Sequence, residues 1–252
     1  MLPIERRGEI LQKLMIDGRV VVSELAEKYE VTEETIRRDL EKLEADGYAQ
    51  KTYGGAIRND NMTVELPYTV RKQTNVSGKK YIAEIIGGLI KDGESLLLDS
   101  STTALFTVKS IFSKENLTLV TNSVEILLDL PQGQGWNVIS TGGAYRSDSM
   151  SFFGYAAEEV VGKFYADYAI LSCKGLDMNK GITDTRETFA ELKKFFLKSA
   201  KKVILAIDHT KFDKISFVRF GDLSSIDIVV TDVEPSDEWK TLFAEKGIQL
   251  YY

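Results

Sequence analysis

The spacing of apolar and polar residues predicts two short helices between Ser23 and Leu43. Ile36, Leu40 and Leu43 recur at i, i+4 and i+7, so they share one stripe of a helix. Ser23 and Thr32 are predicted N-caps, because a hydroxyl just before a helix accepts from an unpaired backbone N–H. The two helix starts therefore fall nine residues apart.

The face of the second helix opposite this stripe carries hydroxyls and basic side chains. At roughly 100° per residue, Thr35, Arg38 and Lys42 fall on that face, and Arg37 lies on its flank. A helix-turn-helix that reads DNA has this layout. The alternative is an ordinary surface helix with salt bridges, which the pattern alone does not exclude.

The flanking residues extend this helix pair to a small domain over 1–58. The predicted upstream helix, over 3–16, places four apolar residues on one side: Ile4, Leu11, Leu14 and Met15. Downstream, a strand over 48–53 and a return strand through 56–57 would form a wing. Three helices and a hairpin in this length are close to the lower size of a domain that folds alone.

Charge alone does not indicate a DNA-binding domain. Residues 1–60 carry ten Lys and Arg against thirteen Asp and Glu, and the whole chain has a formal net charge of −6. Contact with DNA phosphates must therefore come from a local cluster, with the glutamates turned away. We place the cluster at five basic residues: Arg6, Arg38, Lys42, Lys51 and Arg58.

Length and composition indicate a soluble globular protein with one small and one medium-sized domain. The chain has 252 residues, of which 43% are hydrophobic and 28% are charged. The single cysteine, Cys173, excludes an internal disulfide, and no signal peptide or membrane-length apolar run is present. We therefore expect a cytoplasmic protein.

The polar stretch 59–77 is predicted to be a linker, and a second domain is predicted over 78–252 and begins with a helix at 79–90. Short runs rich in Val, Ile and Leu follow at 95–99, 117–121, 137–141, 168–172, 202–207 and 226–230. Amphipathic segments between or after them predict helices near 104–112, 124–130, 155–164, 187–200 and 237–246. This alternation predicts an α/β fold with a largely parallel sheet covered on both faces, to which 248–252 would add an edge strand.

Polar residues follow the predicted strands, at the edge where open parallel sheets bind ligands. They are Asp99, Ser100, Ser101, Thr102, Thr103, Thr121, Asn122, Ser123, Gly142, Gly143, Lys174, Asp208 and Lys211. Helix N-termini, glycines and lysines suit a phosphate, and Asp99 suits sugar hydroxyls, so a phosphorylated polyol or sugar is the predicted ligand. The alternative is that these residues only cap helices and shape turns.

The sequence predicts neither a nucleotide cofactor nor a metal centre. No loop matches a dinucleotide-binding fingerprint or a Walker A motif. One histidine and one cysteine are too few for a usual transition-metal cluster.

The N-terminal motifs resemble those of DeoR-family transcriptional regulators. The family pattern R-x-x-x-I-L matches Arg6 or Arg7 with 10–11, T-I-R-R-D-L matches 35–40, and H-G-G-A matches 53–56, with Tyr53 where the family usually has His. Lys51 stands where the family often has Arg. Pattern and resemblance together predict DNA contacts at Arg6, Ser23, Thr32, Thr35, Arg37, Arg38, Lys42, Lys51, Tyr53 and Arg58.

The resemblance continues through the second domain. The family motifs L-D-S-G-T-T, T-N-S, E-A-x-x-K-R and D-x-S-K-F match 98–103, 121–123, 190–194 and 208–212, and a G-G loop matches 142–143. Ser101 replaces the usual Gly, and Phe189 stands where a Glu is usual. The match adds Lys193 to the candidate effector residues. The resemblance implies a sensor related in fold to ribose-phosphate isomerases, aminosugar-phosphate deaminases and CoA transferases.

The resemblance implies a repressor that binds a double-stranded DNA operator under the control of a phosphorylated sugar, as a homodimer or homotetramer and without catalysis. One alternative is a sugar-phosphate isomerase or transferase with an accessory DNA-binding domain. Its general base would be Asp99, Asp208 or His209. Another alternative is an oligomeric scaffold that binds no effector.

Overall fold

The computed structural model describes residues 1–59 and 64–252, which form two compact units. The N-terminal unit is Met1–Asn75 and the C-terminal unit is Val76–Tyr252. The division between them falls within the predicted linker 59–77, of which residues 60–63 lie outside the described part of the chain.

The N-terminal unit combines helices with a small antiparallel sheet. Its elements are α1 (Pro3–Asp17), β1 (Arg19–Val21), α2 (Val22–Tyr29), α3 (Glu33–Ala45), β2 (Ala49–Thr52), β3 (Gly55–Arg58) and α4 (Tyr68–Gln73). The sheet order is β1-β3-β2. The wing predicted from the sequence is the β2–β3 hairpin, and β1 adds a third strand that three residues were too short to predict.

Glycine is required at the start of β3, because two backbones approach closely there. A Cβ on Gly55 would overlap the carbonyl oxygen of Val20, its neighbour on β1. Val20 is itself buried, together with Ala56 on β3. The glycine therefore holds the wing close against β1.

The core of the N-terminal unit forms where α1, α2 and α3 meet. Ile10, Leu14, Leu25, Ile36 and Leu40 are buried in it. Helix α4 adds Val70 to the same core, so part of the predicted linker is a packed helix. The expectation that Ile4 lies on the buried side of α1 was wrong, because its side chain is 70% exposed.

One of the two predicted helix caps is confirmed. The Thr32 hydroxyl accepts from the backbone N–H of Thr35 at 3.3 Å and caps α3. The prediction for Ser23 was wrong, because α2 already begins at Val22 and Ser23 is an exposed residue of its first turn. Glu30 ends α2 in the left-handed region, with φ of 53°.

The C-terminal unit begins with α5 (Val76–Leu89) and is built on a parallel sheet of seven strands. The strands are β4 (Ser95–Leu98), β5 (Thr118–Thr121), β6 (Asn137–Ser140), β9 (Ala166–Leu171), β12 (Ala200–Ala206), β14 (Ile228–Val230) and β15 (Gln249–Tyr251), in the order β15-β14-β12-β9-β4-β5-β6. Every neighbouring pair is parallel. All seven predicted runs are strands, so the predicted α/β class is confirmed.

Five more helices follow strands of this sheet or precede them. They are α6 (Thr102–Ser110), α7 (Val124–Leu128), α8 (Tyr155–Gly162), α9 (Glu187–Lys198) and α10 (Asp237–Glu245). Each matches a helix predicted from the sequence to within a few residues. None of the helices in the described ranges is long and apolar enough to cross a membrane.

Two small antiparallel elements were not predicted from the sequence. One is the hairpin of β7 (Ala144–Arg146) and β8 (Ser151–Phe153). The other is a sheet with the order β10-β11-β13, formed by β10 (Gly175–Asp177), β11 (Gly181–Asp184) and β13 (Val218–Gly221). Both use three- or four-residue strands, which are too short to show a clear alternation of polar and apolar residues.

Candidate functional site

The outer face of α3 is the surface of the N-terminal unit best suited to DNA. Ile36, Leu40 and Leu43 are buried, whereas Arg38 and Lys42 on the other side are exposed. Helix α2 and the Glu30–Thr32 turn precede this helix. This arrangement, followed by a wing, is a winged helix-turn-helix with its second helix open to solvent.

The hydroxyls at the start of α3 are bonded to one another. Thr32 Oγ1 and Thr35 Oγ1 lie 3.0 Å apart, and both residues belong to the first turn of the helix or its cap. The N-terminal residues of a recognition helix are those that contact base edges. Thr35 therefore lies at the end of α3 that a major groove would receive.

The charge argument expected the glutamates to be turned away from the basic residues, and this expectation was wrong. Arg37 Nη2 lies 2.6 Å from a carboxylate oxygen of Glu33, and Arg38 Nε lies 3.4 Å from one of Glu34. Lys42 is exposed and has no salt-bridge partner among the residues that the structure describes. The acidic residues of α3 thus share its surface with the cations.

Arg6 does not belong to the predicted DNA-contacting cluster, and that expectation is corrected. Its side chain is buried, and Nε lies 2.6 Å from a carboxylate oxygen of the buried Asp39. Arg7 approaches the other oxygen of Asp39 at 3.5 Å. Arg6 therefore ties α1 to α3 and is not free to meet a phosphate.

The remaining predicted DNA contacts lie at different places on the wing. Tyr53 lies in the two-residue turn between β2 and β3 and is fully exposed. Lys51 Nζ lies 2.9 Å from Glu41 of α3, and its backbone N–H donates to Glu44. Arg58 lies at the base of the hairpin and donates to the Met15 carbonyl in the last turn of α1, so it is placed away from the wing tip.

In the C-terminal unit, the predicted effector residues follow the adjacent strands β12, β9, β4, β5 and β6 at the carboxyl edge of the sheet. Neighbouring loops are directly bonded there. Asp99 after β4 accepts from the backbone N–H of Ser172 after β9, and Asn122 after β5 lies 3.5 Å from the Ser100 hydroxyl. The topology therefore brings these residues to a single edge.

Asp99 and Lys193 form the buried centre of this edge. Lys193 Nζ lies 2.6 Å from Asp184, 2.6 Å from the Ser172 carbonyl and 3.3 Å from Asp99. Burial alone would lower the pKa of Lys193, but the Asp184 and Asp99 carboxylates outweigh it and hold the pKa above its usual value. Asp99 also accepts from Ser101 N–H.

These bonds correct the roles expected for Asp99 and Lys193. The Asp99 carboxylate is 2% exposed and already has protein donors on both oxygens. The Lys193 ammonium donates to the Ser172 carbonyl and to Asp184 and is also paired with Asp99, so its charge is neutralised internally. Both residues thus hold the neighbouring loops of the edge together. Asp184, on β11, belongs to no motif and was missed.

Several predicted hydroxyls are also used within the protein. Thr121 Oγ1 donates to the Leu98 carbonyl at 2.8 Å and accepts from Ser123 N–H. The hydroxyls of Ser101 and Ser123 cap α6 and α7. The hydroxyl of Thr121 therefore shapes a turn, and those of Ser101 and Ser123 cap helices. Thr102 and Thr103 are the first two residues of α6, and both are buried.

Asn122 differs from its neighbours, because its side-chain oxygen has no hydrogen-bond partner among the described residues. The residue is 1% exposed, and its Nδ2 donates to the Phe152 carbonyl at 3.0 Å. Its Oδ1 is buried without a hydrogen-bond donor among the described residues. Buried acceptors are almost always satisfied, so this oxygen is suited to a ligand donor such as a hydroxyl.

The glycine loop after β6 leads into a hairpin that carries charge. Gly142 and Gly143 both have left-handed backbones, with φ of 60° and 111°. In the hairpin, Asp148 lies 2.6 Å from Arg186 and 3.3 Å from Arg146. Partial burial would raise the pKa of Asp148, but the two arginines lower it to about 2. Neither arginine was predicted from the sequence.

The loop after β12 supplies the remaining charges. Asp208 accepts from the backbone N–H and hydroxyl of Thr210, and Lys211 Nζ lies 4.0 Å from its carboxylate. Burial would raise the pKa of Asp208, but Lys211, Thr210 and Lys79 together lower it. Lys174 is half-buried after β9. Asp208 and Lys211 thus form a charged pair at the sheet edge.

The remaining candidate groups are the cysteine, the histidine and the phenylalanine that the sequence singled out. No cluster of three or more His, Cys, Asp or Glu with metal-binding geometry occurs in the ranges that the structure describes. Burial raises the pKa of the Cys173 thiol to about 12. His209 Nδ1 lies 3.0 Å from Asp232, and its ring is half-exposed. Phe189 packs on Phe153 in the hydrophobic core at a centroid distance of 4.8 Å.

Together, the exposed α3 face and its wing define a winged helix-turn-helix DNA-binding protein that also carries an α/β ligand-binding fold. Two family models match the chain: the DeoR-like helix-turn-helix domain over residues 6–62 and the DeoR C terminal sensor domain over 74–233. The chain therefore belongs to the DeoR family of transcriptional regulators, and DNA is its partner.

Curated relatives match nearly the whole chain. It is 36% identical to the uncharacterized HTH-type transcriptional regulator YulB of Bacillus subtilis, over 92% of this chain and 90% of the relative. It is 31% identical to an L-fucose operon activator of Haemophilus influenzae, over 88% of this chain and 89% of the relative. It is 28% identical to the glycerol-3-phosphate regulon repressor of Escherichia coli, over 99% of each chain.

A solved structure is similar to part of the chain. Ribose 5-phosphate isomerase A from Methanocaldococcus jannaschii aligns with 55% of each chain at a TM-score of 0.39 and 12% sequence identity.

Proposed function

We infer that the chain is a sequence-specific repressor whose hold on DNA is controlled by a phosphorylated sugar or a related metabolite. The effector would bind at the carboxyl edge of the C-terminal sheet. The buried Oδ1 of Asn122, which lacks a donor among the described residues, is the observation that carries this proposal. A sugar hydroxyl at this point would supply that donor.

The same edge offers groups that suit a phosphate. The backbone N–H groups of Thr102 and Thr103 open α6, where the helix dipole favours an anion. Gly142 and Gly143 can bring backbone N–H groups close to a ligand without a Cβ in the way. Lys211 supplies positive charge, since that of Lys193 is neutralised inside the protein.

The relatives support this class of regulator. One is named for a glycerol-3-phosphate regulon and is a repressor, and another is an activator of an L-fucose operon. Both names concern small polyols or sugars. We propose repression because the glycerol-3-phosphate relative is similar over almost the entire length of both chains. A homodimer or homotetramer would double or quadruple the DNA contacts of one chain.

Thermal-shift measurements on the full chain test the effector. We expect phosphorylated sugars to raise the melting temperature and their unphosphorylated counterparts to do so much less. A ligand at 100 times its Kd adds about 2.7 kcal/mol of stability. Lys211→Gln should weaken the response, whereas Lys214→Gln, on an exposed residue further along the same loop, should not. No shift across a broad panel would contradict effector control.

DNA selection tests the operator. Incubation of the full chain with a pool of randomised duplexes should enrich a common sequence, and an effector found by thermal shift should release that duplex. Transcription from a promoter that overlaps the selected sequence should fall when the protein is added. An increase instead would identify an activator, and failure to enrich any sequence would contradict sequence-specific binding.

We also propose that the chain acts without catalysis. Of the nominated general bases, Asp99 is already bonded to two backbone N–H groups and to Lys193. Asp208 accepts from Thr210, and His209 is paired with Asp232. A sugar-phosphate isomerase assay should show no turnover. Turnover that is lost in Asp208→Asn would contradict this proposal.

A further inference from the structure

Three cations of the N-terminal unit, two on α3 and one on the wing, are each paired with a glutamate. The pairs are Arg37 with Glu33, Arg38 with Glu34, and Lys51 with Glu41, at 2.6, 3.4 and 2.9 Å. All six side chains are at least 36% exposed. A domain that bound DNA only through phosphates would gain nothing from carboxylates in these places.

The pairs occupy different positions around α3. At roughly 100° per residue, Glu34 lies within about 40° of Arg38, at the centre of the exposed face. Glu33 and Arg37 lie on the flank of the same helix. Both glutamates are in the first turn, and both pair with an arginine four residues later. They therefore differ mainly in whether they face the DNA.

The Arg38–Glu34 contact also sets where the Arg38 guanidinium lies. Glu34 is one turn closer to the N-terminus, so the pair draws the guanidinium back toward the end of α3 where Thr35 lies. That end carries the residues that contact base edges in a helix-turn-helix, whereas phosphates line the rim of the groove. Glu34 thus directs Arg38 toward bases and away from phosphates.

We propose that Glu34 is a positioning residue for DNA specificity, which acts by holding Arg38. On random duplex DNA, binding depends on phosphates, so Arg38 must break its contact with Glu34 before it can reach a phosphate. On the operator, Arg38 reaches the bases with Glu34 still beside it. The carboxylate therefore lowers affinity for random DNA more than affinity for the operator.

This inference rests on the sequence-specific DNA binding proposed above. The lysine four residues beyond Arg38 provides the contrast, since Lys42 is exposed and has no salt-bridge partner among the described residues. Lys42 can meet phosphate on any sequence. The exposed face of α3 thus carries Arg38, which is paired with Glu34, and Lys42, which has no salt-bridge partner in the described ranges.

The test compares Glu34→Gln with the matched variant Glu33→Gln on two probes, a random-sequence duplex and the duplex enriched by selection. Fluorescence anisotropy on the full chain would give Kd as a function of salt. The Glu34→Gln variant should bind the random duplex about fivefold more tightly. This factor corresponds to the Coulomb energy between two unit charges at close range in water. The variant's affinity for the selected duplex should change less than twofold.

Two further readouts separate positioning from a general charge effect. The salt dependence on random DNA should steepen by about one released ion, because Arg38 becomes available to a phosphate. In an Arg38→Gln background, Glu34→Gln should no longer increase affinity for the random duplex. Glu33→Gln should change either affinity less than twofold, while melting temperatures show that both variants lose the same helix stabilisation.

Three results would overturn the proposal. They are an equal gain on both duplexes, a gain that persists without Arg38, and an equal effect of Glu33→Gln. If the selection enriches no sequence, the proposed operator binding fails. If a sequence is enriched but Glu34→Gln leaves the ratio of the two Kd values unchanged, only this inference fails.

Discussion

The polar residues of α3 and those at the carboxyl edge of the C-terminal sheet differ in what they bind. On α3, Arg38 and Lys42 point to solvent and have at most an exposed glutamate as a partner. At the sheet edge, Asp99, Thr121 and Lys193 are bonded inside the protein. Polar residues on an exposed helix face are therefore available to a binding partner. Polar residues that follow buried strands are instead used mainly in hydrogen bonds that stabilise the fold.

The largest expected effect comes from breaking the buried charges of the sheet edge. Lys193→Met would leave Asp99 and Asp184 buried without their cation, which should cost about 3–5 kcal/mol of unfolding free energy. Denaturant unfolding measures this loss. Lys194→Met is the control, because the neighbouring lysine pairs with Glu191 on the surface and should cost less than about 1 kcal/mol. Equal losses would show that the edge is not held by this cluster.

The N-terminal unit contains a smaller version of the same arrangement. Arg6→Met removes the cation closest to the buried Asp39, but Arg7 remains 3.5 Å away. We expect a loss of about 2 kcal/mol, below the value for a buried charge left with no partner. Arg37→Met, at an exposed pair, should cost less than about 0.5 kcal/mol. If Arg6→Met instead left stability unchanged and weakened DNA binding, Arg6 would be a DNA contact after all.

Polar residues at the opposite edge of the sheet should also be structural. Asp167 accepts from Lys201 and from the backbone and hydroxyl of Ser95, and these donors lower its pKa to about 2. Because the pKa is lower in the folded protein, ionised Asp167 stabilises the fold at pH values above its ordinary pKa. That stabilisation is lost as the pH falls from about 4 toward 2.

Asp167→Asn should therefore remove about 1 kcal/mol at neutral pH, a value reduced for solvent screening, and flatten the acid dependence of unfolding between those pH values. Urea titrations at several pH values would measure both changes. An unchanged acid dependence would show that Asp167 is not held by these donors.

The smallest expected effect lies in the turn of the helix-turn-helix. Glu30 has φ of 53°, a conformation that costs an L-residue with a Cβ about 1 kcal/mol. Glycine adopts it readily, as Gly18 does at the end of α1, so Glu30→Gly should raise stability by about 0.5 kcal/mol. Thermal unfolding measures the sign of this change, and Gly18→Ala, which should lower the melting temperature, is the control. A loss in Glu30→Gly would mean that the Glu30 side chain has a role that its backbone does not explain.

The comparison also explains how far the sequence could be interpreted. Long periodic segments such as α3 and buried runs such as β4 were predicted because they repeat one spacing over several residues. β1 and the β7–β8 hairpin were missed, since three residues cannot establish a period. Arg6 was misplaced because a buried ion pair depends on Asp39, which is thirty-three residues away in sequence.

The candidate effector site could be located but not resolved from the sequence. Strand ends placed Asp99 and Asn122 at one edge, because parallel strands share their direction. The same residue types cap helices and bind ligands, so the sequence could not separate Ser123, which caps α7, from Asn122, whose Oδ1 has no donor in the described part of the chain. Asp184 came from a short strand of a separate sheet and carried no motif.

The central claim is that the exposed face of α3 binds DNA, and Arg38→Ala tests it most directly. In a gel-shift titration with the selected duplex, Arg38→Ala should weaken binding by about 1 to 3 kcal/mol, and by more than Glu41→Ala. Unchanged melting transitions of both units would show that the variant stays folded. Equal affinities of the two variants for that duplex would contradict the account.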